Sequence, residues 1–398
     1  MNIPKAYEQL RHFRQQQATV LDTIEQLVTL ESPSDVKAAV DRLSAVLASR
    51  FGELGGKVKI HLAEKFGNHL QVDFLGRELP HFSQRTGEMG HPRRKPILLL
   101  GHMDTVYPVG TISKMPFRVS KGRVCGPGVF DMKAGIALAL HAIEALRQWN
   151  DGTLPRPVTL LFVSDEEVGS PSSRHLTEKL ARQSDAVLVL EPAAGLKGAV
   201  KTARKGIGEY TLRVEGVSAH SGLDFEKGHS AVIELSRQIL RLSELVDLKR
   251  GTTINVGKIS GGTRTNVVPA EASAVIDVRV TTKKDADKLH RALMSVRPFD
   301  PKCKIKVTGG VNRPPMERKR GTVALYEKAK AVAKELGQAL DEASVGGGSD
   351  GNFTAALGIP TLDGLGAVGE GAHAAHESVV ISELPKRAAF LAGLIAAI

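Results

Sequence analysis

The amino-acid sequence predicts an α/β fold with two domains: a mainly parallel sheet with helices on both faces, and an inserted ferredoxin-like α+β domain. Apolar runs typical of strands alternate with helical segments in the first half of the chain, which indicates βαβ units. From about Arg204 the order becomes strand, helix, two strands, helix and strand, which is the split βαβ arrangement. A chain of 398 residues also exceeds the size at which one core usually keeps growing. We therefore expect one domain from residues 1–203 and 314–398, and a second from residues 204–313.

The first domain is predicted from three apolar strands. PILLLG (96–101), VTLLFVS (158–164) and AVLVLEP (186–192) are each typical of a strand buried on both faces, as in parallel sheets. The predicted helices span residues 132–149, 172–182 and 322–336. Ligands of such sheets collect at the carboxyl ends of the strands. The residues that follow the three strands are therefore the first candidates for a functional site.

The second domain is predicted from alternating strands and amphipathic helices. Its strands are expected at residues 209–217, 252–260, 272–280 and 304–308, and its helices at residues 231–246 and 285–296. A polar stretch at residues 77–94 of the first domain is typical of a long surface hairpin loop.

The composition excludes several classes of function. No apolar run approaches the ~20 residues that span a bilayer, so we expect no membrane partner. The net charge is +11, but the basic residues are scattered, whereas nucleic-acid binding predicts a clustered basic face. The N-terminal segment is typical of an amphipathic helix rather than a signal peptide, which predicts a cytoplasmic protein. Cys125 and Cys303 lack the spacing of a disulfide framework or a zinc site, and we expect two free thiols.

Two segments place polar side chains beside predicted strands and helices. His102 and Asp104 follow the first strand in GHMDTV, and this pair alone is equally compatible with a functional site and an ordinary strand end. Asp131 lies in GPGVFDMKAG before a helix, where a helix N-cap is the alternative. This segment lacks the Gly-Lys-Ser/Thr ending of a phosphate-binding loop.

Acidic residues follow the other two strands. Glu166 and Glu167 lie in SDEEVGS, where a following glycine indicates a turn that would bring both carboxylates to one site. A solvated acidic turn is the alternative interpretation. Glu191 ends the third strand, and the C-terminal GEGAHAAHESV offers His373 and His376.

Together these residues predict a site for two metal ions at one edge of the sheet. Nitrogen and oxygen donors without cysteine suit borderline divalent ions, and an aspartate can bridge a pair of them. Two ions ~3.5–4 Å apart share a water and lower its pKa towards ~7. Glu166 is the remaining acid, suited to accept the proton of that water. The candidate ligands are His102, Asp131, Glu167, Glu191 and a C-terminal histidine.

The motifs also resemble those of a known family. GHMDTV, GPGVFDMKAG, SDEEVGS, LEP, SAHSG, GGGSD and GAH occur in the order found in the zinc-dependent exopeptidases and deacylases. That family includes glutamate carboxypeptidase (carboxypeptidase G), acetylornithine deacetylase and succinyl-diaminopimelate desuccinylase. The resemblance runs from about Asp22 to the C-terminus, and HMDTVYPVGTISKMPFRV is most similar to the glutamate carboxypeptidase branch.

The resemblance implies two zinc ions per chain, with cobalt or manganese as alternatives. His102 and Glu191 would bind one ion, Glu167 and His373 the other, and Asp131 would bridge both. The GAH context favours His373 over the nearby second histidine as the ligand.

The resemblance also implies the catalytic roles. Glu166 would be the general base, and Asp104 would orient the metal-bound His102. His220 in SAHSG would reach the active site of a partner subunit and stabilise the oxyanion. The inserted domain would therefore act as a lid and form a homodimer.

Substrate-binding residues are implied by three further motifs. Arg313 in NRPP, Asn266 in TNVVPA and the backbone of Gly346–Gly348 would hold the terminal carboxylate of the substrate. A guanidinium donates two parallel hydrogen bonds to a carboxylate, and glycine lets amide groups approach closely. One departure from the family is Met132, at a position where many relatives carry a second acid.

We therefore expect a di-zinc metallohydrolase that cleaves the amide bond to a C-terminal or N-acylated amino acid. A glutamate carboxypeptidase-like exopeptidase acting on a small peptide is the first interpretation. An N-acyl-amino-acid deacylase of the same mechanism is the nearest alternative. A non-catalytic binding protein would be expected to lack a ligand or the base, and here every such position is filled.

Overall fold

The computed structural model describes residues 3–76 and 94–398, so the predicted hairpin loop at 77–94 lies almost entirely outside the described residues. No helix within these two stretches is both long enough and apolar enough to cross a bilayer. The helices are α1 (Ala6–Gln15), α2 (Gln17–Thr29), α3 (Lys37–Glu53), α4 (Thr111–Lys114), α5 (Ala134–Trp149), α6 (Arg174–Arg182), α7 (Ala231–Ser243), α8 (Lys283–Met294), α9 (Arg320–Glu335), α10 (Gly351–Ala356) and α11 (Leu384–Ala397).

The strands form several sheets. They are β1 (Lys57–His61), β2 (His69–Phe74), β3 (Ile97–His102), β4 (Arg118–Ser120), β5 (Arg123–Cys125), β6 (Val158–Val163), β7 (Ala186–Val189), β8 (Val200–Arg204), β9 (Gly206–Glu215), β10 (Thr253–Gly261), β11 (Glu271–Val280), β12 (Lys304–Arg313), β13 (Glu342–Val345), β14 (Thr361–Leu362), β15 (Gly369–Glu370) and β16 (Ser378–Val380). Strands β8 and β13 pair with each other.

The largest sheet has six strands in the order β1-β2-β6-β3-β7-β14. The last four are parallel to one another, whereas β1 and β2 add an antiparallel edge that the sequence did not predict. The mainly parallel sheet and the mixed α/β class are thus confirmed. Because β6, β3 and β7 run in the same direction, the segments that follow them meet at one edge of the sheet.

Helices cover both faces of this sheet because its central strands are apolar on both sides. Every residue of β3 and β6 is buried. Leu99 belongs to the large apolar core that includes α5 and α11, whereas Leu98 and Leu100 pack with Leu180 of α6 on the opposite face. This alternation follows from the two-residue period of a strand and fixes the sheet between helical layers.

Two compact units can be distinguished. Unit 1 comprises residues 1–202, 318–344 and 349–398, and unit 2 comprises residues 203–317 and 345–348. Unit 2 contains an antiparallel sheet in the order β10-β11-β9-β12, with α7 and α8 joining its strands in the predicted split βαβ order. Alternate residues of β9 and β11 pack against these helices, as Leu212 and Ile276 do. Its function as a lid and dimerisation domain stays a prediction.

A small antiparallel sheet in unit 1 was not predicted from the sequence. Its order is β15-β16-β5-β4, and β16 pairs with β5 so that Ser378 lies opposite Cys125. This pairing brings the C-terminal segment that carries His373 next to the loop that carries Asp131.

Candidate metal centre

His102, the last residue of β3, lies at the centre of a buried polar cluster in unit 1. Its Nδ1 is 3.0 Å from the main-chain oxygen of Asp104, so this nitrogen carries a proton and donates it. Its Nε2 is 3.1 Å from Oδ1 of Asp131 and 3.6 Å from Oε1 of Glu191. The second nitrogen of the ring therefore faces two carboxylates, as expected of a metal-binding imidazole oriented by a carbonyl.

Asp131 lies between two histidines. It belongs to the turn Val129–Lys133, which connects β5 to α5 and has non-helical dihedral angles at Asp131 itself. One carboxylate oxygen contacts His102, and the other is 3.5 Å from Nε2 of His373. The same Nε2 of His373 is 3.1 Å from Oε2 of Glu167. The carboxylate of Asp131 is thus shared by two groups of donors, which is the arrangement of a bridging ligand.

Glu166 and Glu167 form a short 3-10 turn directly after β6. The Asp104 carboxylate accepts the main-chain N–H of Glu166 at 3.2 Å and that of Glu167 at 3.1 Å, and the hydroxyl of Ser34 donates to it at 2.6 Å. The carboxylate of Asp104 lies 3.6 Å from Nδ1 of His102, beyond hydrogen-bond distance. In this geometry Asp104 holds the glutamate turn with its carboxylate and His102 with its carbonyl.

The cluster contains two triads of residues, and within each triad the three donor atoms all lie within 4.8 Å of one another. The first is formed by His102, Asp131 and Glu167, and the second by His102, Glu166 and Glu191. The structure therefore brings together all five of the predicted metal ligands, since His373 contacts two of these residues, together with the predicted base.

The pKa values in this cluster reflect its density of charge. Burial lowers the pKa of His102, but the carboxylates of Asp104, Asp131 and Glu191 outweigh it and raise that pKa well above its usual value. Hydrogen bonds that His373 donates to the carboxylates of Asp131 and Glu167 raise the pKa of His373 to about 10. Burial raises the pKa of Glu167. The concentrated carboxylates therefore make this cluster a place where a positive charge is strongly favoured.

The donor set fits divalent metal ions. Oε1 of Glu167 is buried and has no hydrogen-bond partner among the residues that the structure describes, although an orphaned buried carboxylate oxygen is costly. The donors are imidazole nitrogen and carboxylate oxygen without thiolate, a set that suits zinc, cobalt or manganese. The residues in place therefore fit a pair of such ions.

In unit 2 the structure brings together two of the predicted residues, His220 and Asn266. The N–H of Ser221 donates to the main-chain oxygen of Asn266, and His220 forms an isolated bridge with Val267. Nδ1 of His220 accepts the N–H of Gly222 at 3.1 Å. The proton of this exposed ring is therefore on Nε2, which can act as a hydrogen-bond donor.

A second cluster in unit 2 surrounds the glycine loop. Arg204 donates to the main-chain oxygens of Gly347 at 3.2 Å and Gly348 at 3.1 Å. Arg313 is buried at the end of β12, and a Cβ built on Gly348 would lie 2.9 Å from its Cδ. Arg279 adds a long contact to Gly346. The predicted residues Arg313, Gly347 and Gly348 are thus neighbours, and Arg204 and Arg279 were not predicted.

Comparison with known proteins identifies the family. Residues 98–397 match peptidase family M20/M25/M40. The chain belongs to this family. It is 31% identical over 387 residues to carboxypeptidase G2 of Pseudomonas sp. (strain RS-16), an alignment that covers 96% of this chain and 89% of that protein. The predicted family and the predicted class of enzyme, a metallopeptidase, are confirmed.

Solved structures of this peptidase family share the fold. Aminopeptidase PepT from Bacillus cereus superposes with a TM-score of 0.77 at 23% identity, covering 96% of this chain and 98% of that one. The YxeP protein of Bacillus subtilis, described as a dinuclear metal-binding peptidase, superposes with a TM-score of 0.68 at 14% identity and covers 96% and 98% of the two chains. At these identities the likeness shows the fold alone.

Proposed function

We propose that this M20 peptidase is a two-zinc carboxypeptidase. The observation that carries the proposal is the carboxylate of Asp131, whose two oxygens lie 3.1 Å and 3.5 Å from Nε2 of His102 and of His373. In the proposed site His102 and Glu191 hold one ion, and Glu167 and His373 hold the other. When bound, such a pair of ions polarises the scissile carbonyl and lowers the pKa of a shared water.

Glu166 is proposed as the general base. It lies on the same turn as the proposed ligand Glu167, and a donor atom of its side chain is within 4.8 Å of those of His102 and Glu191. The Asp104 carboxylate fixes the main chain of this turn. Glu166 takes a proton from the attacking water and delivers it to the leaving amine, a transfer that typically contributes about 10²–10⁴-fold to the rate.

Residues of unit 2 are proposed to bind the substrate. His220 donates from Nε2 to the oxyanion that develops on the scissile carbonyl. Arg313 and Asn266, with the amides of Gly347 and Gly348, hold the terminal carboxylate of the substrate. Arg204 supports this role because it fixes the carbonyls of the same glycine loop. An anchored carboxylate restricts cleavage to the end of a chain.

The proposed substrate is a small peptide or N-acyl amino acid, with glutamate as the released residue. This choice is supported by the 31% identity to carboxypeptidase G2, whose name describes a carboxypeptidase. It is tested by comparing the hydrolysis of acyl-glutamate peptides, their amidated forms and N-acetyl amino acids. Preference for free-carboxylate glutamate peptides supports the proposal, whereas preference for N-acetyl amino acids would make the enzyme a deacylase.

A homodimer formed through unit 2 is also proposed. Ile233 and Leu240 are seven residues apart on α7, so they lie on the same face of that helix, and both are exposed. Ile259 is exposed on β10, an edge strand. Analytical ultracentrifugation of wild type and Leu240→Glu tests this: a dimer that dissociates in the variant is the expected result, and a monomeric wild type would contradict it. Location in the cytoplasm stays a prediction.

A further inference from the structure

Glu377 is a buried carboxylate that the proposed reaction does not use. Its side chain is completely buried and accepts three main-chain N–H groups of one turn. Oε2 accepts from Gly128 at 3.0 Å, and Oε1 accepts from Phe130 at 2.8 Å and from Asp131 at 2.9 Å. The backbone that carries the proposed bridging ligand is therefore held by a residue from the C-terminal segment.

The same residue closes the turn that carries His373. The N–H of Glu377 donates to the main-chain oxygen of Ala374 at 3.0 Å. The hydroxyl of Tyr107 donates to that oxygen at 3.1 Å and also interacts with the Glu377 carboxylate. His373 itself has a φ of 62°, a left-handed conformation that a non-glycine residue adopts at a cost and keeps only when its surroundings enforce it.

A carboxylate is the side chain that these contacts require. Oε1 accepts two main-chain N–H groups and Oε2 accepts one, so both oxygens of Glu377 act as acceptors. Glutamine has the same shape but only one acceptor oxygen. The side-chain NH₂ of glutamine would face at least one of the main-chain N–H groups. That N–H would lose its acceptor and would lie against another hydrogen-bond donor.

We propose that Glu377 is a positioning residue for the metal centre, which keeps the Asp131 turn and the His373 turn at the spacing that shared metal binding requires. This inference rests on the proposed function, because it assumes that Asp131 and His373 bind metal. Supporting residues of this kind typically change metal affinity or activity by about 10–100-fold when substituted.

The test compares the zinc affinity of wild type, Glu377→Gln and Glu370→Gln by competition with a chelator. Glu370 is a matched control because it lies in the same segment but is exposed and pairs with Arg123. We expect Glu377→Gln to weaken zinc binding by about 10–100-fold and Glu370→Gln to leave it unchanged. The visible absorption of the cobalt-loaded protein should change in Glu377→Gln, because it reports coordination geometry.

Two milder variants keep the test decisive if Glu377→Gln folds poorly. Glu377→Asp retains both oxygens, and Tyr107→Phe removes one hydroxyl from a half-buried ring. Each is expected to weaken zinc binding less than Glu377→Gln, and thermal unfolding of the metal-free proteins shows whether they fold. Unchanged zinc affinity and an unchanged cobalt spectrum in all three folded variants would overturn the proposed role of Glu377 but not the proposed function. A wild-type protein that binds no metal would overturn the proposed function as well.

Discussion

The two units each contain a cluster of charged side chains, and the charges of the two clusters are opposite. In unit 1, carboxylates converge around two imidazoles, and Asp131 contacts both rings. In unit 2, Arg204 and Arg279 converge on the carbonyls of a glycine loop, with Arg313 beside it. A cluster of buried carboxylates favours a cation, and a cluster of guanidinium groups favours an anion. In the proposed function, the carboxylate cluster of unit 1 carries out the reaction and the guanidinium cluster of unit 2 binds the substrate.

The largest effect is expected for a substitution in the carboxylate cluster of unit 1. Glu166→Ala should lower kcat/KM by about 10²–10⁴-fold, because the variant lacks the proposed base. Metal content should change little, since the proposed ligands remain. Steady-state kinetics and metal analysis check both quantities, with Glu335→Ala on the exposed face of α9 as the control. A variant with full activity would exclude Glu166 as the base.

A guanidinium in unit 1 provides a contrast with those of unit 2. Arg387 is buried and donates to the carbonyls of Gly366, Gly198 and Gly364 at 2.8, 3.1 and 2.6 Å. Arg387→Met leaves these carbonyls without their donor, so we expect a loss of about 3 kcal/mol in the free energy of unfolding. Chemical denaturation measures it.

The control for this prediction is Lys386→Met, since Lys386 is half-exposed on the same helix and pairs with Glu383. The folded Arg387→Met protein should retain the wild-type KM. A raised KM with unchanged stability would show that Arg387 belongs to substrate binding instead.

Substitution of Arg313 tests whether the guanidinium cluster of unit 2 binds the substrate. Arg313→Met should lower kcat/KM about 10–100-fold on substrates with a free carboxylate, because charge-assisted hydrogen bonds contribute about 1.5–3 kcal/mol. The effect should appear mainly in KM. With carboxyl-amidated substrates the variant and the wild type should be alike, and an equal loss on both kinds of substrate would contradict a role in carboxylate binding.

The smallest expected effect concerns the pH dependence of stability in unit 1. Burial lowers the pKa of His69 below 6.5, and Asp165 only partly opposes this. The unfolded chain therefore binds a proton at this histidine more readily than the folded protein does. The free energy of unfolding is then unaffected by protonation of His69 above about pH 6.5 and decreases as the pH falls below that value. The metal-free wild type should lose more stability between pH 7 and pH 5 than His69→Gln.

Thermal unfolding across this pH range measures that difference. His175→Gln, on the exposed side of α6, should follow the wild type. Parallel curves for His69→Gln and wild type would show that His69 does not titrate differently in the folded protein.

The proximity of the candidate metal ligands could be predicted from the sequence because the carboxyl ends of parallel strands meet at one edge of a sheet. His102, Glu166 and Glu191 each follow a buried strand of the same direction, so their proximity follows from the fold class alone. Asp131 and a C-terminal histidine were candidates from the sequence, and the resemblance selected His373 and made Asp131 the bridging ligand. Their proximity depends on β5 and β16, strands of three residues each. Strands that short leave no periodic signal in a sequence.

Residues that act through the main chain were not found from the sequence. Glu377 follows the second histidine of HAAHESV, and nothing in that pattern distinguishes a buried acceptor of three N–H groups from an exposed acid. Arg204 lies in a basic stretch that resembles solvated surface, yet its partners are the carbonyls of Gly347 and Gly348. Such contacts depend on tertiary structure rather than on local sequence.

Asp131 is proposed to bridge two metal ions. The most direct test of this role is the metal content of wild type and Asp131→Asn, measured by mass spectrometry after dialysis against metal-free buffer. We expect about two divalent ions per wild-type chain and fewer in the variant, because the shared carboxylate is lost. A wild type without divalent metal, or a variant that retains the full content, would contradict it.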